Sequence, residues 1–188
     1  MSEKKSEDVV QKIPSVDSDN TEPFEGLVET YFQSKGYITS SNKWFWYWRE
    51  GRQQRGYKDI DVLAIDSKET VLIDVTGELI DKIGFDKERN LKSDNLSRLF
   101  YKEIKYLESV PQYSWLLEKR KIRKIIAYVY GKPLRERLTK NEEFLKSRIE
   151  LLSSDEIIED LKEYNQGKFL KTNNSIIKMI QLFIKKRV

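Results

Sequence analysis

The chain has 188 residues, carries a formal net charge of +4 and contains neither cysteine nor histidine. Its length suits one domain with a buried core, and the missing residue types exclude disulfides, thiolate or imidazole zinc sites and histidine-activated nucleophiles. Catalysis would therefore depend on Asp, Glu, Lys, Tyr, Ser or Thr, and any bound metal would be a hard cation held by oxygen.

The charge of the chain is unevenly distributed. Residues 1–29 carry 8 acids and 3 bases, which leaves 32 bases and 23 acids for residues 30–188. The basic body favours a polyanionic partner such as DNA, and a soluble lysine-rich surface is the alternative. No apolar run approaches the roughly 20 residues that span a bilayer. Because the N-terminus also lacks a signal-peptide core, we expect a cytoplasmic protein without a membrane partner.

The N-terminal half predicts a helix followed by a β-meander. Residues 1–20 are polar and aperiodic and predict a disordered arm, so that residues 21–188 form the single domain. Pro23 suits the first turn of a helix that Gly36 ends. Two extended segments follow the helix, at 37–41 and 43–49. A polar loop at 50–56 then leads to the two strands that contain Asp61 and Asp74.

The second half alternates helices and strands. Its apolar spacing predicts, in chain order, a helix over 94–109, a buried strand over 122–130, a helix over 133–146, a strand over 149–152, a helix ending at 164 with a cap at 153–156, and a last helix over 176–184. The resulting order α-β-β-β-α-β-α-β-α-α predicts an α/β fold with a central mixed sheet flanked by helices and with extra C-terminal helices.

Two aspartates interrupt apolar strands. Asp61 lies within Ile60–Ile65 and Asp74 within Val71–Val75, and a polar turn at 66–69 joins the two strands. A buried carboxylate is costly unless it is paired or binds a metal. On adjacent antiparallel strands the two acids can share one divalent cation, Mg²⁺ or Mn²⁺, and a structural salt bridge to Lys or Arg is the alternative. Carboxylate-held metal suits phosphodiester hydrolysis without histidine.

Strand alternation extends this candidate site. It places Asp74, Thr76 and Glu78 on one face of their strand, so Glu78 is an auxiliary metal ligand or a solvated strand-end acid. Asp59 shares a face with Asp61, and for Asp59 we favour a plain strand-edge charge.

These residues resemble the PD-(D/E)XK nuclease superfamily, whose restriction-endonuclease-like core has the order α-β-β-β-α-β, with the closest likeness to its Holliday-junction-resolvase-like and Mrr-like branches. The resemblance covers about residues 22–130. It implies a metal-dependent DNA endonuclease in which Asp61 and Asp74 are catalytic metal ligands. It also makes Glu25, which precedes the helix stop at Gly36, an assisting ligand on the first helix.

The sequence departs from that family at Thr76, where the acid-x-Lys triplet usually has its lysine. The hydroxyl of Thr76 would have to orient the attacking water, or a lysine from elsewhere would replace the missing cation. Lys58, Lys82 and Lys102 are the candidates. The alternatives to an active nuclease are a catalytically inactive nucleic-acid-binding protein with the same fold and a protein-interaction module.

Aromatic and basic segments suggest how DNA would bind. Trp44–Trp48 alternates three tryptophans with Phe45 and Tyr47, which predicts burial against helices on both faces or, alternatively, a platform for unpaired bases or a dimer surface. The predicted DNA-contact residues lie in a loop and near a strand entrance, with a solubilising role as the alternative. They are Arg49, Arg52, Arg55, Lys58, Lys119, Arg120, Lys121, Arg123 and Lys124. The last helix could cap the sheet or form a homodimer interface.

Overall fold

A five-stranded mixed sheet organises the chain. The computed structural model describes residues 23–48, 55–85, 91, 93–165 and 174–179. The strands lie in sequence order across the sheet; β1, β2 and β3 are antiparallel, and β4 and β5 continue parallel to β3. Their bounds are β1 Ile38–Trp48, β2 Arg55–Ile65, β3 Glu69–Glu78, β4 Lys121–Tyr130 and β5 Ile149–Ser153.

Helices cover both faces of this sheet. Their bounds are α1 Pro23–Ser34, α2 Leu79–Lys82, α3 Ser93–Arg98, α4 Tyr101–Ser109, α5 Pro111–Ser114, α6 Lys132–Leu138, α7 Glu142–Ser147 and α8 Ser154–Asn165. The predicted α/β class with a mixed sheet flanked by helices is therefore confirmed.

The core has two layers because the strands alternate their side chains between the faces. On one face α1 and α8 pack Val28, Phe32 and Leu161 against Val62 and Ile73. The opposite face is covered by the helices that follow β3. Its cluster includes Leu63, Leu72, Phe100, Leu107 and Ile126. The central strands are thus buried on both sides, and a carboxylate placed there needs a partner.

Two predicted helices are broken. The helix expected over 94–109 divides into α3 and α4, because Phe100 adopts a left-handed backbone conformation with φ of 64°. The helix expected over 133–146 divides into α6 and α7, and the side chain of Asn141 caps α7 by accepting from the backbone N–H of Phe144 at 3.0 Å. The short helices α2 and α5 were not predicted.

Local signals fixed other boundaries correctly. Asp66 Oδ1 accepts from the backbone N–H groups of Lys68 and Glu69, each at 2.7 Å, which closes the predicted turn between β2 and β3. Ser153 and Glu156 form the predicted capping box of α8, since the backbone N–H of each is bonded by the side chain of the other.

Several predictions fall on parts of the chain beyond the described residues. The N-terminal arm over 1–20 and most of the 50–56 loop lie outside them, and the last predicted helix is described only over 175–179. The homodimer interface expected on that helix therefore stays a prediction. Within the described ranges, no helix combines the length and apolar character that a membrane crossing requires.

Candidate functional site

Asp61 and Asp74 meet in space. The antiparallel register of β2 and β3 pairs Val62 with Ile73, which are the neighbours of Asp61 and Asp74 along their strands. Their carboxyl groups are in hydrogen-bonding contact, and Asp61 Oδ2 also accepts from the backbone N–H of Val75 at 2.6 Å. Asp74 is only 8% exposed. The structure thus brings together the two acids that the sequence singled out.

The electrostatics of this pair are those of two carboxylates in one poorly solvated site. Burial raises the pKa of Asp61, and the adjacent Asp74 carboxylate raises it further, to about 8. The Val75 N–H and Lys82 oppose this rise because they favour the charged form. At neutral pH the pair therefore holds a proton that it must release before both acids can act as ligands of a cation.

Lys82 supplies the positive charge of the site. Its Nζ lies 2.5 Å from Asp74 Oδ1. Burial acts to lower the pKa of Lys82, but Asp74, then Asp61 and Asp59, outweigh burial and raise it above its ordinary value. Lys82 therefore stays a cation and offsets part of the negative charge of the aspartates. Of the three lysines considered from sequence, it is the one that binds an acid of the pair.

The position of Lys82 depends on a close backbone approach. α2 begins directly after β3, and its first residue, Leu79, is fully buried. Gly131 lies against it with φ of 139°, and a Cβ atom there would lie 2.5 Å from Leu79 Cβ. Only glycine readily adopts this conformation. The contact fixes where α2 runs and thereby where Lys82 points.

A third acid, Glu103, reaches the site from α4. It is 3% exposed, and its carboxylate forms an ion pair with Lys58 through Oε1. Its Oε2 is buried and has no hydrogen-bond partner. Sequence reasoning missed Glu103, although it lies between Phe100 and Leu107 on the buried face of the helix.

The acids share a small cavity of about 10 Å³, which is enough for about one water molecule. Its walls are Asp59, Ile60, Asp61, Leu72, Ile73, Asp74, Phe100 and Glu103. Asp59, which the sequence favours as a plain strand-edge charge, therefore borders the site. Within the ranges the structure describes, no three carboxylates lie close enough to form a metal cluster. The site is an aspartate pair with two further acids on the walls of its cavity.

The other predicted site residues are not brought to this cavity. Glu25 lies in the first turn of α1, whose buried residues pack on the opposite sheet face. Thr76 donates its hydroxyl to the backbone oxygen of Glu78 at 3.0 Å, and Glu78 is exposed. None of the three lines the cavity. The catalytic roles of Glu25 and Thr76 and the ligand role of Glu78 stay predictions.

The basic segment at the start of β4 is largely committed to internal contacts. Arg123 donates to Glu69 and Glu150 at 2.8 and 2.6 Å, and Lys124 donates to the backbone oxygen of Ser147 at 3.0 Å. Arg120 donates to the backbone oxygen of Asp66. Lys119 and Lys121 are exposed.

This basic segment also lies far from the aspartate pair. Lys121 pairs with Glu69 at the start of β3, five strand positions before Asp74, which corresponds to about 16 Å along the strand. Arg49, Arg52 and the side chain of Arg55 lie outside the described residues, and Lys58 is held by Glu103. DNA contact by these residues stays a prediction.

The aromatic run is buried on one face only. Phe45 is 3% exposed and stacks on Tyr106 with ring centroids 4.5 Å apart. Trp44 and Trp46 are 45% and 42% exposed. The predicted burial on both faces is therefore wrong for these two tryptophans.

Comparisons of this chain with protein-family models, with curated proteins and with solved structures find no significant match.

Proposed function

We propose that this chain is a metal-dependent DNA endonuclease built on a restriction-endonuclease-like core. The observation that carries the proposal is the contact between the Asp61 and Asp74 carboxyl groups, with Lys82 bound to Asp74. The element order α1, β1, β2, β3, helices, β4 supports it, because this is the order of the PD-(D/E)XK core that the sequence resembles. A costly acid pair inside a sheet is typical of a functional site rather than of a structural one.

The donors at this site fit a hard divalent cation. Asp61 and Asp74 would hold Mg²⁺ or Mn²⁺, and Glu103, whose Oε2 is buried without a partner, is the further carboxylate of the same cavity. Magnesium usually takes one or two carboxylates together with water and phosphate oxygens, so a pair suffices. When bound, such an ion polarises the phosphate and lowers the pKa of a coordinated water.

Lys82 fits the role that the family assigns to its motif lysine. It lies six residues after Thr76, in the helix that follows the strand. Its ammonium is fixed by Asp74 and retains its proton, so it would orient the attacking water and stabilise charge that develops on the phosphate. The departure from the family pattern at Thr76 is thereby compensated from a neighbouring element.

The second candidate is a silent nucleic-acid-binding protein with the same fold. The same ion pair favours it, because Lys82 partly neutralises Asp74 without any metal. In that case the acids and lysines of the cavity would serve stability alone.

Plasmid nicking separates these functions. We expect wild-type protein to nick supercoiled DNA with Mg²⁺ or Mn²⁺. Asp74→Asn, which keeps the shape of the side chain, should lose at least about 100-fold in rate. Asp81→Asn is the matched control, since Asp81 is an exposed acid in the same short helix as Lys82.

The alternatives give different outcomes. DNA binding without nicking in either metal would support the silent protein. A failure to bind DNA even at low salt would contradict both and favour a protein-interaction module.

A further inference from the structure

A wide groove adjoins the acidic cavity. It lies between β1 and β2 on one side and α3 and α4 on the other, and its volume is about 1000 Å³. Five aromatic residues, four cations and two serines line it, and none of its described lining residues is acidic. An open groove of this size with cations and aromatic rings has the composition of a polynucleotide channel.

Aromatic rings in the groove are accessible to a ligand. Tyr101, the first residue of α4, is 50% exposed, and Trp46 is 42% exposed. Tyr47 lies across Gly56, where a Cβ atom would come within 2.5 Å of its ring. The glycine therefore leaves room for the Tyr47 ring, and Lys102 Nζ lies 3.7 Å from the centroid of that ring.

Cations lie beside these rings. Arg98 and Lys102 are exposed and form no ion pair within the described part of the chain. Lys105, one helical turn beyond Tyr101 and Lys102, is paired with Glu108 at 2.7 Å. Arg98 and Lys102 would offer contacts to phosphates, and the exposed rings beside them would offer contacts to bases.

Lys58 connects the groove with the acidic cavity. It lines the groove and forms an ion pair with Glu103, which lines the cavity. Asp59, the next residue, is a wall of the cavity. The ion pair of Lys58 with Glu103 is therefore the contact between the groove and the acidic cavity.

We propose that this groove binds an unpaired DNA strand and leads it to the aspartate pair. Stacking on a ring needs a base whose face is open, which duplex DNA does not offer along its length. The inference deepens the proposed nuclease function and rests on it for the cutting step. Binding itself is measured without cleavage.

The test is fluorescence anisotropy of a labelled oligothymidylate with EDTA present, compared with a duplex of the same length. Wild type should bind the single strand more tightly. Because a base stacked on an aromatic ring adds to single-strand affinity, Tyr101→Ala and Trp46→Ala should each weaken binding roughly tenfold. Trp44→Ala is the matched control: it is on the same strand, is similarly exposed and is absent from the groove lining, so it should change affinity less than about twofold.

Charge is tested separately. Lys102→Glu should weaken binding and lower the salt dependence of the affinity by about one unit of slope. Lys146→Glu, the same charge change at an exposed site outside the groove, should have a smaller effect. Circular dichroism melting curves establish that each variant is folded.

Several results would overturn the inference: equal affinity for duplex and single strand, equal losses for Trp44→Ala and Trp46→Ala, or displacement by polyglutamate as efficient as by unlabelled oligothymidylate. The nuclease proposal fails independently. If the groove variants lose single-strand binding but wild type never nicks DNA, the groove stands and the catalytic function falls. If wild type nicks DNA and the groove variants nick it equally fast, the catalytic function stands and the groove is not the path of the strand.

Discussion

The role of Lys82 makes the most specific prediction. Lys82→Met keeps much of the aliphatic stem and removes the charge that lies 2.5 Å from Asp74 Oδ1. Two unit charges 4 Å apart attract by about 4 kcal/mol at an effective dielectric constant of 20, and removing one partner of a fully buried pair costs about 3–5 kcal/mol. The Lys82 side chain is 31% exposed, so solvent screening reduces the expected loss of unfolding free energy to about 2 kcal/mol.

The catalytic effect should exceed this loss of stability. A positioned proton-transfer or charge-stabilising group contributes about 10²–10⁴-fold to a rate, so Lys82→Met should nick plasmid slower by that factor under conditions where it remains folded. Urea unfolding measures the first quantity, and initial nicking rates at saturating Mn²⁺ measure the second. Lys146→Met serves as the control, because Lys146 is exposed and lies on another helix, α7.

If Lys82→Met nicks within about threefold of the wild-type rate, the loss is far smaller than a positioned group contributes. Lys82 would then not be the lysine that acts in catalysis. If Lys58→Met or Lys102→Met abolished nicking instead, that lysine would take the role assigned to Lys82. Unfolding at an unchanged urea concentration would show that the Asp74–Lys82 pair contributes nothing to stability.

Two further predictions concern the surroundings of this lysine. The pKa of Asp61 is raised to about 8, so the folded protein holds a proton that the unfolded chain releases near pH 4. The free energy of unfolding of the metal-free protein should therefore fall between about pH 4 and 8, by a few kcal/mol at most. Asp61→Asn should remove this pH dependence and be more stable than wild type at pH 8. Urea unfolding at pH 5 and 8 measures both effects. An unchanged pH dependence would show that Asp61 does not hold the proton. Gly131→Ala forces a left-handed alanine with a Cβ 2.5 Å from Leu79 Cβ, which should cost about 2 kcal/mol or more and lower the melting temperature by at least about 4 °C; an unchanged melting temperature would show that α2 is not held at this point.

The sequence predicted most of the sheet because its strands carry strong, local signals. The apolar runs around Asp61 and Asp74 are long and rich in β-branched residues, and the turn at Asp66 is closed by its own side chain. The division of the long helix at Phe100 could not be predicted, since a buried phenylalanine in the left-handed region is set by tertiary packing rather than by propensity. The division at Asn141 had a local signal, its capping side chain.

The candidate site was predictable in part for the same reason. Two acids within apolar strands are conspicuous, and adjacent antiparallel strands bring them together. Lys82 could not be chosen over Lys58 and Lys102, because the direction of α2 depends on Gly131, which is distant in the sequence. Glu103 was overlooked because a helix surface commonly carries acids, and only the packing of α4 shows that this one is buried.

The aspartate pair itself is tested most directly by calorimetric titration of Mn²⁺ into the metal-free protein at pH 8. We expect wild type to bind the ion and Asp61→Asn and Asp74→Asn each to weaken binding by about tenfold or more. Lys82→Met should bind Mn²⁺ more tightly than wild type, because a competing cation is gone. The aspartate pair is not a metal site if the wild-type protein binds no Mn²⁺, or if Asp61→Asn and Asp74→Asn bind it as tightly as wild type does.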